Sequence, residues 1–128
     1  TFNFDSSGGS TFKLALYTNI SGLTTSTTAF TATNEVSTSG TNYTSGGNTL
    51  TNNGVAVASN IAFVDFADLT FSSVSLSAVG ALIYKSSSGN EAVLVLDFGG
   101  TKTATNGDFV VQFPTANSSS AIIRLGDA

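Results

Sequence analysis

Apolar and polar residues alternate along this chain, and where the alternation is clear its period is two. Thr11 to Thr18, TFKLALYT, places Phe12, Leu14 and Leu16 on one side and Lys13, Ala15 and Tyr17 on the other. That split predicts a strand with one buried and one amphipathic face. Between Gly80 and Gly100 two apolar runs, Ala81–Tyr84 and Ala92–Phe98, flank Ser86-Ser87-Ser88-Gly89-Asn90. Val, Leu, Ile, Tyr and Phe favour a pleated backbone, whereas Ser, Gly and Asn tolerate turns, so the stretch reads as a hairpin closed by that polar loop. Its second run has little polar alternation before Asp97, which predicts the central strand of the fold, covered on both faces.

The same reading extends to both sides. In Thr49–Val57, Leu50 and Val55-Ala56-Val57 bracket Asn52-Asn53-Gly54, and Asn-Gly supplies the positive φ angles of a tight hairpin. Ile61–Phe71 reads as a strand interrupted by a bulge or bend around Asp65 to Asp68. Val74–Val79 forms a further strand leading into the Gly80–Gly100 hairpin. A second hairpin is expected around Asn106-Gly107, with Phe109, Val111 and Phe113 on one face of its second arm and Pro114 ending it, since proline lacks an N–H for the ladder. Ala121–Leu125 reads as a last strand. With about eight short strands and no convincing 3.6-residue period, the chain is expected to be all-β, an antiparallel sandwich or barrel-like fold with little or no helix.

Two segments fall outside this pattern. Residues 1-10 contain Ser6-Ser7-Gly8-Gly9-Ser10 and read as a flexible N-terminal arm, leaving 11-128 as a single β domain. Asn19 to Gly47 is rich in Thr, Ser and Gly; within it Thr28–Ala32 fits either a short strand or one helical turn. A long irregular segment in a compact domain is expected to be a functional loop or contact region.

Composition narrows the functional classes. Hydrophobic residues make up 41%, including ten Phe, which is enough for a core, but charged residues make up only 9%, against roughly 25% in ordinary soluble domains. Solubility therefore rests on hydroxyls and amides, which suits an extracellular or particle-bound protein. The net charge is −4 and the four basic residues, Lys13, Lys85, Lys102 and Arg124, are scattered, so no nucleic-acid partner is expected. No apolar run approaches the roughly 20 residues of a membrane-spanning helix, and no membrane partner is expected. Cys and His are both absent, which removes disulfides, Ser-His-Asp triads and the usual zinc ligand sets.

The remaining chemistry is thin. Asp65, Asp68 and Asp97 are the nearest approach to a carboxylate cluster, yet residues three apart in a strand point to opposite faces, so turn and capping roles outweigh acid–base or cation-binding ones. Lys85 and Glu91 flank the hairpin loop; an internal Lys–Asn or Lys–Asp cross-link assisted by an acid is conceivable there, but a surface ion pair is the plainer reading. Tyr17, Tyr43 and Tyr84 either line a sugar-binding face or finish the edge of a core. The triplets beginning at Asn19, Asn42 and Asn117 match the glycosylation pattern at a frequency that chance explains in so Asn-, Ser- and Thr-rich a chain. Gly46-Gly47 and Gly99-Gly100 read as turn glycines, without the setting of a phosphate-binding loop. No catalytic residue, cofactor-binding residue, metal ligand or cofactor is expected.

One resemblance covers most of the chain. VDFADLTFSSVSLSAVGALIYKSSSGNEAVLVLDFGG and GDFVVQFPTANSSSAIIRL, together with FKLALYT and TATNEVSTSGTNYTSGGNTL, resemble small virion structural proteins of tailed bacteriophages over roughly residues 11 to 125. Read as head decoration (cement) proteins, these imply a non-enzymatic chain on the capsid surface of the virion, with the major capsid protein as partner and self-association into a homo-oligomer on the capsid as a further option. The alternatives are a tail- or fibre-associated component, or a fimbrial-type adhesin subunit. A carbohydrate-binding module or glycan hydrolase is disfavoured by the lack of Trp and of a convincing carboxylate pair.

Overall fold

The computed structural model describes residues 10–24, 26–58, 61–87, 89–113 and 123–126, of which 53, 55–58, 61–65 and 123–126 are described by their backbone alone. Its regular elements are all strands: β1 (Phe12–Tyr17), β2 (Asn48–Thr49), β3 (Asn52–Ala58), β4 (Ile61–Phe66), β5 (Leu69–Lys85), β6 (Ala92–Val111) and β7 (Ile123–Gly126). They form two antiparallel sheets, one of four strands in the order β2-β1-β5-β6 and one of three in the order β3-β4-β7. The protein is all-β, as the two-residue period requires. The expected N-terminal arm lies outside the described residues, apart from Ser10, and so does the proline stop at Pro114.

The Gly80–Gly100 hairpin is present but is only the tip of a longer one. β5 runs for 17 residues and β6 for 20, paired from Tyr84↔Ala92 at the loop end to Leu69↔Val111 at the other. Three expected breaks are thus bulges inside continuous strands. Asn106-Gly107, expected as a turn, inserts one extra residue in β6, since Leu76↔Ala104 and Val74↔Gly107 advance by two residues on one strand and three on the other; Asn106 takes a φ of 48°. Gly99-Gly100 lies in a larger insertion: from Gly80↔Asp97 to Ala78↔Lys102, β6 advances five residues against two, with φ of 77° and 155° at the glycines. Asn52-Asn53-Gly54 also bulges, with Gly54 at φ 99° and its N–H donating to Asn52 Oδ1 at 2.8 Å. Positive-φ residues serve a bulge as readily as a turn, and long flanking strands select the bulge here. The expected interruption near Asp68 is real: β4 ends at Phe66 and β5 starts at Leu69.

β6 is not the central strand. It forms one edge of its sheet, and Ala92–Leu96 are half-buried, whereas β1 and β5 hold the centre with Leu14, Leu16, Leu82 and Ile83 fully buried. A continuous apolar run reports cover on both faces but not position in the pairing order, which explains the misplacement. On one face of the sheet, Phe12, Leu14, Leu16, Phe71, Val74, Ala81 and Ile83 form the main core with Val36, Tyr43, Leu50 and Phe66. Phe66, at the end of β4, meets Phe12 edge-on at 5.8 Å between ring centroids, a favoured aromatic geometry. On the other face Ala15, Tyr17, Leu82 and Tyr84 form a second cluster, covered by Ile20, Leu23 and Phe30. Both faces of β1 are therefore buried, where an amphipathic second face was expected.

Candidate functional site

Asn19–Gly47 is the cover of the sheet. Its apolar side chains point inward, with Phe30 stacked on Tyr84 at 4.8 Å between centroids, while most of its Ser and Thr residues face solvent. Backbone bonds attach it at both sides of the sheet. Phe30 N donates to Asn90 O and Ala92 N to Thr28 O, each at 2.9 Å, at the start of β6; Val36 N donates to Leu16 O and Thr18 N to Asn34 O, each at 2.9 Å, along β1. Thr28–Ala32 contributes an isolated bridge at Ala29↔Glu91, and Glu35 another to Tyr17.

A polar clasp fixes this segment to β1. β2 pairs only with Lys13 and Leu14, so the outer edge of β1 beyond Leu14 needs other partners. Tyr43 supplies one: its hydroxyl accepts from Leu16 N at 3.0 Å and donates to Glu35 Oε2 at 2.7 Å. The same carboxylate accepts from Gly46 N at 2.7 Å and Ser45 Oγ at 3.0 Å, and Tyr84 Oη donates to Gly46 O at 2.7 Å. Gly47 then passes so close to β1 that a Cβ there would overlap the Leu14 carbonyl and lie 2.8 Å from Ala15 Cα, at φ +77°. Burial pushes the Tyr43, Tyr17 and Tyr84 phenols up from their ordinary value, and the nearby Glu35 charge pushes in the same direction. Tyr17 Oη donates to Thr31 O at 2.6 Å. The three tyrosines thus finish a core edge; they do not line a sugar-binding face. Glu35 had no sequence signature beyond being the sole carboxylate between Asp5 and Asp65.

The acidic residues singled out from sequence take capping roles. Asp68 Oδ1 accepts from Phe113 N and Asp97 Oδ1 from Gly99 N, both at 2.8 Å, near opposite ends of the β5–β6 ladder; the Asp65 side chain is not described. Among the described residues no group of three or more acidic side chains is placed to hold a metal ion. Glu91 Oε2 accepts from Ser87 Oγ at 2.7 Å, and this bond, with a smaller contribution from the Lys85 charge, holds its carboxyl below the usual range. Lys85 N donates to Glu91 O at 2.8 Å, closing the expected loop. Asn19 and Asn42 are engaged locally, Asn19 Oδ1 accepting from Ser21 N at 2.9 Å and Asn42 Nδ2 donating to Ser73 O at 3.2 Å; Asn117 lies outside the described residues.

What remains exposed and organised is the β5–β6 hairpin. On its outer side Ser77 Oγ and Thr103 Oγ1 share a hydrogen bond at 2.8 Å, and Ser75 Oγ donates to Asn106 Oδ1 at 3.1 Å while accepting from Asn106 N at 2.9 Å. Two cavities adjoin β6. One of about 430 Å³ lies between Leu23–Thr27 and Ala92–Val95. The other, about 370 Å³, has Phe98 and Phe109 in its lining with Lys102 and Asp108 beside them. Val110, 48% exposed, borders it and is the one large hydrophobic residue so exposed among the described residues. Comparison with family models, with curated proteins and with solved structures returns no match.

Proposed function

We propose that this chain is a non-enzymatic bacteriophage capsid decoration protein, binding the outer surface of the major capsid protein lattice and stabilising the head. The observation that carries the reading is the resemblance of Val64–Gly100 and Gly107–Leu125 to small phage virion proteins. The architecture is compatible with that role. A cement protein acts by shape and hydrogen bonding, and the exposed Ser75, Ser77, Thr103 and Asn106 array is a surface of uncharged donors and acceptors suited to close, wet contacts. Weak contacts of this kind become strong when repeated over a lattice, because each added site acts at high effective concentration.

The test is co-sedimentation of the purified chain with expanded, decoration-free capsids, read together with the temperature at which those capsids rupture. Saturable binding and a higher rupture temperature are expected. Retention by tail structures with none by capsids would overturn the proposal in favour of the tail- or fibre-associated alternative.

A further inference from the structure

We propose that two copies of this chain associate through β6, antiparallel and two-fold symmetric about Thr105. The strand is an edge: β5 occupies one side, and on the other only its first residues are met, by Thr28–Phe30. Open edges of this length are association sites unless something deters pairing, and charged side chains are the usual deterrent. β6 carries three, the exposed Asp97, Lys102 and Asp108. Their signs alternate, so whether they deter or attract depends on the register.

Antiparallel self-pairing offers few registers that bring these charges together. Centring on Lys102 sets two ammonium groups against each other, and placing Asp97 opposite Asp108 sets like carboxylates together twice. Placing Asp97 opposite Lys102 attracts, but centres the contact between Gly99 and Gly100, inside the insertion with its positive φ angles. Centring on Thr105 places Lys102 of each copy opposite Asp108 of the other, twice by symmetry. The same register brings Val110 of one copy opposite Gly100 of its mate. A Cβ on Gly99 or Gly100 would meet nothing within 4 Å, so there is room for the Val110 side chain. The cavity that holds Phe98 and Phe109 lies alongside, with Lys102 and Asp108 in its lining. One register therefore pairs both sets of charges and covers the exposed Val110. The β6 bulges, at 98–101 and at Asn106, confine the matching contacts to two symmetric halves, 107–111 of one copy against 99–103 of the other. The pairing rests on β6 alone and stands or falls independently of the capsid reading.

Sedimentation equilibrium of the purified chain over a wide concentration range tests it. A monomer–dimer equilibrium is expected for the parent chain. Lys102→Asp and Asp108→Lys, made singly, each turn two attractions into two repulsions and should weaken the dimer at least roughly tenfold; combined, they should restore it to near the parent value. Asp108 Oδ1 also accepts from Ser73 N at 3.3 Å, so circular dichroism of each variant is needed, and Val110→Arg, at an exposed position, provides a second disruption that leaves the fold alone. A parent chain monomeric at every concentration, or a double reversal no tighter than the single ones, would overturn the proposal.

Discussion

Replacing Tyr43 by Phe isolates the clasp on β1. The ring stays, including its packing against Phe71 at 5.8 Å between centroids, and only the hydroxyl is lost. That hydroxyl accepts from Leu16 N and donates to Glu35 Oε2. Leu16 is fully buried, so its N–H has no water to turn to, and a buried donor left unpaired costs about 1–3 kcal/mol. The Glu35 carboxylate retains Gly46 N and Ser45 Oγ, which limits the second loss to the net value of one charge-assisted bond, about 1 kcal/mol. The sum is about 2–4 kcal/mol, a large share of the roughly 5–15 kcal/mol that holds a domain folded. Tyr84→Phe removes one neutral bond, to Gly46 O, and should cost about 1 kcal/mol. Chemical denaturation of the three chains measures both, with an unchanged denaturant slope showing that only native stability moved. A Tyr43→Phe chain within about 0.5 kcal/mol of the parent, or less destabilised than Tyr84→Phe, would refute the reasoning.

Further expectations concern the same layer. Gly47→Ala combines backbone strain of about 1–3 kcal/mol with a clash of similar size against β1, so a loss of about 3–5 kcal/mol is expected, while Gly22→Ala, where a Cβ meets nothing within 4 Å, should be near neutral; thermal melts compare them. Phe30→Ala uncovers the Tyr84 cluster and should cost about 2 kcal/mol, less than full burial would imply because Phe30 is half-buried. Because Tyr17, Tyr43 and Tyr84 are all raised above 10.0, their contribution is fully present below pH 10.0 and is lost as pH rises toward the folded values. Tyrosinate absorbance should therefore appear together with loss of β circular dichroism; all three phenols ionising in a folded chain would count against their burial.

The all-β class was legible because each strand advertises itself locally, through alternation in Phe12–Tyr17 and apolar runs around Ser86–Asn90. Strand order was not legible, since Val93–Leu96 reads the same in the centre of a sheet as at an edge packed on both faces. Nor was strand length: Asn53-Gly54, Gly99-Gly100 and Asn106-Gly107 satisfy the backbone demands of turns and bulges alike, and only the pairing of β5 with β6 and of β3 with β4 decides. The clasp was hidden for another reason. Glu35, Tyr43 and Gly46 sit in a segment with no period, and their meeting with Leu16 depends on a fold-back across 27 residues for Tyr43 that no local pattern encodes. The bland readings of Asp68, Asp97 and the tyrosines held because burial and spacing rules bound what isolated polar residues do.

The most direct measurement of the central proposal is cryo-electron microscopy of the intact virion that carries this chain. Density for the long β5–β6 hairpin and its covering Asn19–Gly47 segment, seated on the outer surface of the head and repeated with the capsid lattice, is the predicted result. The same density found only on the tail or its fibres would contradict it.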